Sequence, residues 1–371
     1  MRRTGMYDYH GKKGALKSLA VTGIACLLSI TVLATPYLFR YYDSTFTSPL
    51  ASSGTPALPA NGGSGGTSGL TAPSNGGNGN GGNGNGGSSA SAPTSPSSQN
   101  PGYDLLGTVI QDNPTNARPL MKSNEYYYYS LMCAADQEIY NDMLSGLYAF
   151  DPDISVVTDD SDHVFNIYMC LLSEHPEIYW VDTGGSYTVM GNQTTFTYRY
   201  NRALDAVTAM NRELEQKLQT VRSEIGSPAN EYDRLKAAYS YVVEHVEYVA
   251  GAPDNQNLIS SMMNGESVCA GYTQMMTYLL QDQGIQAFMV TGNVFPNGPH
   301  GWNVIRINGN YYQCDSTYGD PVYMSQNGQT VSGAADYDYM ITSDEFMLKR
   351  RSYDPTEYHA PACTDTQYDP S

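Results

Sequence analysis

"NGESVCAGYTQMMTYLLQDQG", residues 264–284, sets a single cysteine, Cys269, at the head of a periodic apolar segment. Tyr272, Met275, Met276, Leu279 and Leu280 recur at i, i+3, i+4, i+7 and i+8, which predicts an amphipathic helix. Ser267 is its expected N-cap, and Gly284 closes it. Cys269 then falls in the first helical turn. Unpaired N–H groups and the positive end of the helix dipole favour thiolate over thiol there, and thiolate is the nucleophile. The same N–H groups can hold a developing oxyanion.

Downstream, a strand "AFMVTG" (287–292) and a loop "NVFPNGP" lead into "HGWNVIRINGNYYQCDSTYGDP" (300–321). Asn308-Gly309 between two alternating segments is a strong hairpin signal. With those two residues as the turn, Ile307 faces Asn310, and paired positions sum to 617. Trp302 then stands opposite Asp315. His300 shares the face of Trp302 and sits diagonally from Asp315, at the ~7 to 8 Å spacing that long side chains bridge. A nucleophile, a general base and a group that orients the base are thereby all present in Cys269, His300 and Asp315. Cys314 points to the opposite face and does not compete with Cys269.

These residues resemble a known family. "GESVCAGYTQ", "HGWNVIRINGNYYQCDSTYGDP" and the later "YDYMITSDEFM" (337–347) are similar to the transglutaminase-like superfamily in its bacterial exported form. The likeness is strongest over 232–321 and weaker over 125–225, where "LLSEHPEIYWVD" resembles the helical and β extension of many relatives. Gly301 stands where many relatives carry Ala. The resemblance implies a papain-like core, with a Cys-bearing helix packed on an antiparallel sheet that carries His and Asp. It also implies acyl transfer through a thioester. The oxyanion candidates are the Cys269 N–H and a side-chain amide at Gln256 or Asn257. Trp302 and Asn303 are read as packing and support.

Outward from this core the expected class is α+β with an N-terminal helical and β extension. Helices are predicted around 126–147 and 162–173. Strands follow at "IYWVD" (178–182), "SYTVM" (186–190) and "TFTYRY" (195–200), then a helix over 202–225 stopped by Gly226. Another helix, capped by Ser227 with Pro228 at its first position, is expected to run to about Val249. The assignment is an extension at 103–226 and a catalytic core with its C-terminal segment at 227–371.

Residues 40–102 read as a Gly/Ser/Asn/Pro-rich disordered linker, since runs such as "NGGNGNGGNGNGG" bury too little apolar surface to repay ordering. Residues 18–39 carry no charge and are long enough to cross a bilayer. Arg2, Arg3, Lys12, Lys13 and Lys17 precede them, which places residues 1–17 in the cytoplasm and the remainder outside. The alternative is a signal peptide cleaved after "VLA" (32–34). Net charge is −18; after the first 40 residues, 13 basic and 36 acidic side chains leave −23. Such a field disfavours nucleic acid as a partner.

Cys133, Cys170, Cys314 and Cys363 form an even set with three possible pairings, Cys133 with Cys170 being the first choice. Histidine and cysteine spacings contain no metal motif, and no cofactor is expected. The sequence therefore reads as an outward-facing cysteine acyltransferase or hydrolase acting on protein or peptide amides. A cysteine peptidase on the same core and a non-catalytic surface-binding module are the alternatives.

Overall fold

The computed structural model describes the backbone of residues 3–5, 113–320, 322–324, 330–354 and 358–371, with side chains for 113–320, 333–354 and 358–371. The candidate span 18–39 and the linker lie outside these residues. In chain order the main elements are α1 (Ala134–Ala149), β1 (Asp153–Val156), α2 (Ser161–Glu174), β2 (Ser186–Met190), β3 (Gln193–Thr197), α3 (Leu204–Ile225) and α4 (Glu231–His245). They are followed by α5 (Cys269–Asp282), β4 (Ala287–Val294), β5 (Gly298–Ile307), β6 (Asn310–Cys314) and β7 (Arg351–Tyr353). Helices and antiparallel sheets are mixed without a regular β-α-β alternation, an α+β arrangement.

The sheet that matters for the site is antiparallel, in the order β7-β4-β5-β6. Its β5–β6 hairpin turns on Asn308 (φ 51°) and Gly309 (φ 89°), the paired positive φ values of a type I′ turn. Ile307 faces Asn310 and Asn303 faces Cys314, the register the turn dictates. The ladder stops there, one residue short of Asp315, whose N–H instead donates to the Tyr339 carbonyl at 2.8 Å.

α5 crosses this sheet and packs against α4 on its other side. The expected amphipathic helix is instead a central one, with twelve of its fourteen residues buried. Met275, Met276, Leu279 and Leu280 contribute roughly 1.5–3 kcal/mol each by leaving water. Polar Thr273, Thr277 and Gln281 are buried too, and they repeat every four residues after Cys269 along one stripe. Each is hydrogen-bonded, as burial demands. Thr273 donates toward Gly301 O (3.0 Å), Thr277 accepts from Asn303 Nδ2 (2.8 Å), and Gln281 donates to Ala287 O (2.9 Å) and Glu174 O (2.8 Å).

The smaller sheet differs from expectation in one strand. β1 pairs with β3 in place of 178–182, and the backbone of Arg3–Gly5 runs antiparallel along β2. Residues 178–182 make only a bridge from Val181 to Tyr200, because Tyr179 and Trp180 are drawn inward as core anchors. The helix expected over 126–147 is broken at Met132 and Cys133, both extended. The amides of Tyr128 and Tyr129 are taken by the Glu174 carboxylate. α4 begins three residues later than expected, because the Asn230 side chain, accepting from Asp233 N at 2.8 Å, caps it in place of Ser227. It ends at His245, and Glu247–Tyr248 pairs in parallel with Glu266–Ser267 just before α5. Cys133 and Cys170 are separate thiols, as are Cys314 and Cys363.

Candidate active site

Cys269 is the first residue of α5. Val268, in extended conformation, occupies the cap position and supplies no side-chain bond. Ser267 does not cap the helix either: its hydroxyl is engaged by Ser260 Oγ (2.5 Å) and Asn255 O (3.0 Å). The first-turn amides beside the sulfur are thus left without a side-chain cap, which suits them to receive negative charge. A π-helical turn, Ser260–Asn264, supports this start, with Ser261 Oγ donating to Gly271 O at 2.8 Å. The approach is close. A Cβ at Gly271 would fall 1.9 Å from Ser267 Oγ, so only glycine fits two residues after the cysteine.

His300 sits on β5, and its Nε2 shares a 2.8 Å hydrogen bond with Asp315 Oδ2. The hairpin register places this diagonal pair as the turn residues require. The other ring nitrogen, Nδ1, is buried and has no nitrogen or oxygen partner among the described residues, and the Cys269 sulfur is near enough to strengthen the ring's hold on its proton. Burial works against a charged ring; the charge and hydrogen bond of Asp315, with Cys269, outweigh it and raise His300 to about 9. Burial likewise opposes an ionised Asp315, but His300 and Arg351 overcome it and hold the carboxyl at about 2. All three side chains are buried.

The joint between helix and sheet is itself hydrogen-bonded. The Thr273 hydroxyl is shared between Cys269 O (2.7 Å) and Gly301 O (3.0 Å), tying the residue that bears the thiol to the neighbour of the imidazole. Asn303 Nδ2 reaches Thr273 O (3.1 Å) and Thr277 Oγ1 (2.8 Å) one turn further along. Trp302 stacks at 5.9 Å on His300 and at 5.6 Å on Tyr353, while its Nε1 donates to Gln313 Oε1 at 2.6 Å. Both residues pack or hydrogen-bond at this joint.

Residues 219–316 match the transglutaminase-like superfamily, a segment that contains Cys269, His300 and Asp315. That segment is similar to a transglutaminase-like domain. No curated protein sequence matches the chain. Among solved structures it is similar to a TGase, at 15% identity over 45% of this chain and 52% of that one, with a TM-score of 0.27. It is also similar to "a Putative Cysteine Protease from Cytophaga hutchinsonii", at 16% identity over 49% and 74%, TM-score 0.28. A third is "a putative protease from Parabacteroides distasonis ATCC 8503", at 7% identity over 39% and 33%, TM-score 0.22. The chain spans about half the length of the first of these.

Within the matched segment the two amide candidates are not joined to the triad. Asn257 Oδ1 accepts from Ile259 N at 3.0 Å in a local turn, and Gln256 Nε2 donates to Asn255 Oδ1 at 3.1 Å. Neither is hydrogen-bonded to Cys269, His300 or Asp315 among the described residues. Two features were missed from sequence. One is the stripe Cys269, Thr273, Thr277, Gln281, which was visible as a four-residue spacing of small polar residues in an apolar helix. The other is Arg351, whose Nη2 donates to Asp315 Oδ2 at 2.7 Å. Its only signal was a run of three cations, Lys349 to Arg351, in an acidic chain.

Proposed function

We propose that this chain is an exported, membrane-anchored cysteine acyltransferase or hydrolase that acts on protein or peptide amides through a thioester on Cys269. The observation that carries the reading is the 2.8 Å bond between His300 Nε2 and Asp315 Oδ2, with the sulfur of a helix-start cysteine close enough to the ring to strengthen its hold on its proton. Cys269 and His300 would react as a thiolate–imidazolium pair, with the thiol proton held on Nδ1 as the sulfur attacks the amide carbonyl carbon. The C–N bond then breaks while His300 protonates the departing nitrogen, releasing ammonia or an amine and leaving the thioester. An amine or water, deprotonated by His300, attacks the thioester carbon and frees the sulfur. First-turn amides of α5 would receive the oxyanion in both halves.

Asp315 keeps the ring in the tautomer that carries its proton on Nε2 when neutral, so Nδ1 is the atom available to the sulfur. Peptide cleavage is the second reading, because water and amine compete for one thioester. The test is mass spectrometry of cell-envelope proteins from cells with wild-type enzyme and with Cys269→Ser. Loss of isopeptide or deamidated products in the variant is expected for transfer or deamidation, and loss of cleaved products marks a peptidase. Identical envelopes would remove the proposal.

Anchoring is tested separately. A membrane-spanning 18–39 would hold Arg3–Gly5 across the bilayer from β2, so it excludes the pairing of those two segments. Protease added to intact cells should remove the domain and spare the first residues; loss of both would overturn the anchored topology.

A further inference from the structure

We propose that Arg351 is a positioning residue of the acyl-transfer centre, fixing the Asp315 carboxylate and keeping the centre electrically neutral when sulfur and imidazole are both charged. This rests on the reading of Cys269, His300 and Asp315 given above. Arg351 opens β7 and is paired there with Val294 of β4, well beyond the matched segment. Its side chain is 4% exposed. Nη2 meets the same carboxylate oxygen, Oδ2, that His300 uses, while Oδ1 accepts from Tyr318 N at 3.1 Å. With one oxygen between two cationic donors and the other on a backbone amide, the carboxylate has a single rotamer.

The remainder of the guanidinium lies on aromatic faces: Tyr318 at 4.5 Å, Tyr339 at 5.5 Å and Trp302 at 6.0 Å. Among the described residues its buried Nε has no partner. Such a placement is a poor device for stability, since well-packed apolar replacements of buried ion pairs are often neutral or stabilising. It is a good device for charge. Thiolate, imidazolium and carboxylate together carry one net negative charge in a dry site, and Arg351 cancels it.

The titratable and charged groups that face the centre are Cys269 from α5, Asp315 just past β6, and Tyr239 from α4, whose hydroxyl reaches Asp315 O at 3.4 Å, with buried Cys314 next to Asp315 in the chain. Tyr318, Tyr339 and Arg351 complete the set. Asp354, three residues past Arg351, accepts from Thr291 Oγ1. Among these described residues Arg351 is the one fixed cation. Removing it leaves a more negative site, from which protons depart less readily.

The experiment is the pH profile of Cys269 alkylation by iodoacetamide, read by mass spectrometry on the full chain. Arg351→Gln, which keeps a hydrogen-bond donor and loses the charge, should move both midpoints of the profile to higher pH. Displacement by one unit would slow labelling about tenfold below the acid midpoint. Arg351→Lys should keep the midpoints near wild type. Wild-type midpoints in Arg351→Gln, or an equal displacement in Arg351→Lys, would overturn the proposal. So would failure of both variants to fold, which marks Arg351 as structural. His300→Ala and Asp315→Asn serve as controls. If they label as wild type does, the acyl-transfer reading itself falls; if they slow labelling while Arg351→Gln leaves the midpoints in place, only the role of Arg351 falls.

Discussion

Glu174 and Asp315 are two buried carboxyl groups, one at the end of α2 and one just past β6, and they stand on opposite sides of neutrality. Burial is the largest influence on both, and in both it favours the protonated acid. Glu174 meets neutral donors, the amides of Tyr128 (2.5 Å) and Tyr129 (3.4 Å) and the hydroxyl of Tyr140 (3.1 Å), and is pushed up to about 8. Asp315 meets His300 and Arg351, and is held down at about 2. Equal burial therefore does not decide charge; the partners do. The two residues also mark the two ends of α5: the Glu174 backbone carbonyl accepts from Gln281 near the C-terminus, and the Asp315 carboxylate holds the His300 ring near Cys269. One end of the helix is neutral adhesive, the other a set of paired charges.

The sharpest way to break this comparison is to neutralise both acids isosterically. Asp315→Asn should reduce Cys269-dependent turnover, or iodoacetamide labelling, by about 10²–10⁴-fold, the range that general acid–base contributions span. Glu174→Gln should leave it within about a factor of two. Comparable losses in the two variants would mean that the active end of α5 is not set apart by its charges.

Stability carries the next largest effect, with opposite signs at the two acids. Glu174 titrates at about 8 in the folded chain and near 4.3 in the unfolded one, so the unfolded state holds fewer protons and stability falls as pH rises between those values. Glu174→Gln abolishes that fall. Its melting temperature should gain on wild type between pH 5 and 8, by about 2–4 °C for each kcal/mol in a chain of this size. A constant difference across that range would place a charged Glu174 in the fold.

Asp315, depressed to about 2, stabilises the fold fully above its unfolded value near 3.9 and loses that contribution as pH falls through 2. His300, raised to about 9, contributes fully below about 6.5 and loses its share as pH rises through 9. Denaturation of wild type and Asp315→Asn should therefore converge between pH 4 and 2. A gap persisting at pH 2 would argue that packing, not charge, separates the two.

The smallest effects concern the joint between helix and sheet. Gly271→Ala puts a methyl 1.9 Å from Ser267 Oγ and should cost about 1–3 kcal/mol by urea denaturation. Gly301→Ala meets nothing nearer than 3.7 Å and should stay within about 0.5 kcal/mol, in keeping with the alanine that the family resemblance led one to expect there. Reversal of that order would mean that the helix start is loosely packed.

Much of the candidate site's geometry was legible because its determinants are local. The i, i+3, i+4 recurrence announced α5, and Asn308-Gly309 set a register that carried His300 to Asp315 without reference to anything else in the chain. The outer parts were less so. Asp153–Val156 is a short strand with one buried residue, and nothing in its own pattern favours it over the β-rich 178–182, whose aromatic residues went to the core. Ser227 and Asn230 are both good caps, and the folded chain uses Asn230, whose side chain accepts from Asp233 N.

What the sequence determined by itself is the chemistry at hand: a cysteine at a helix start, and an imidazole and a carboxylate locked in register by a two-residue turn. Turn geometry and helical periodicity act over a few residues, so they can be read in a line. Only the tertiary structure decided that α5 is enclosed on all sides, that a four-residue stripe of polar groups fastens it to the sheet, and that a cation from β7 closes on Asp315. Those outcomes depend on which surfaces lose water together and which charges meet there, and residues 36 positions apart, such as Asp315 and Arg351, acquire a mutual energy only once the chain has folded.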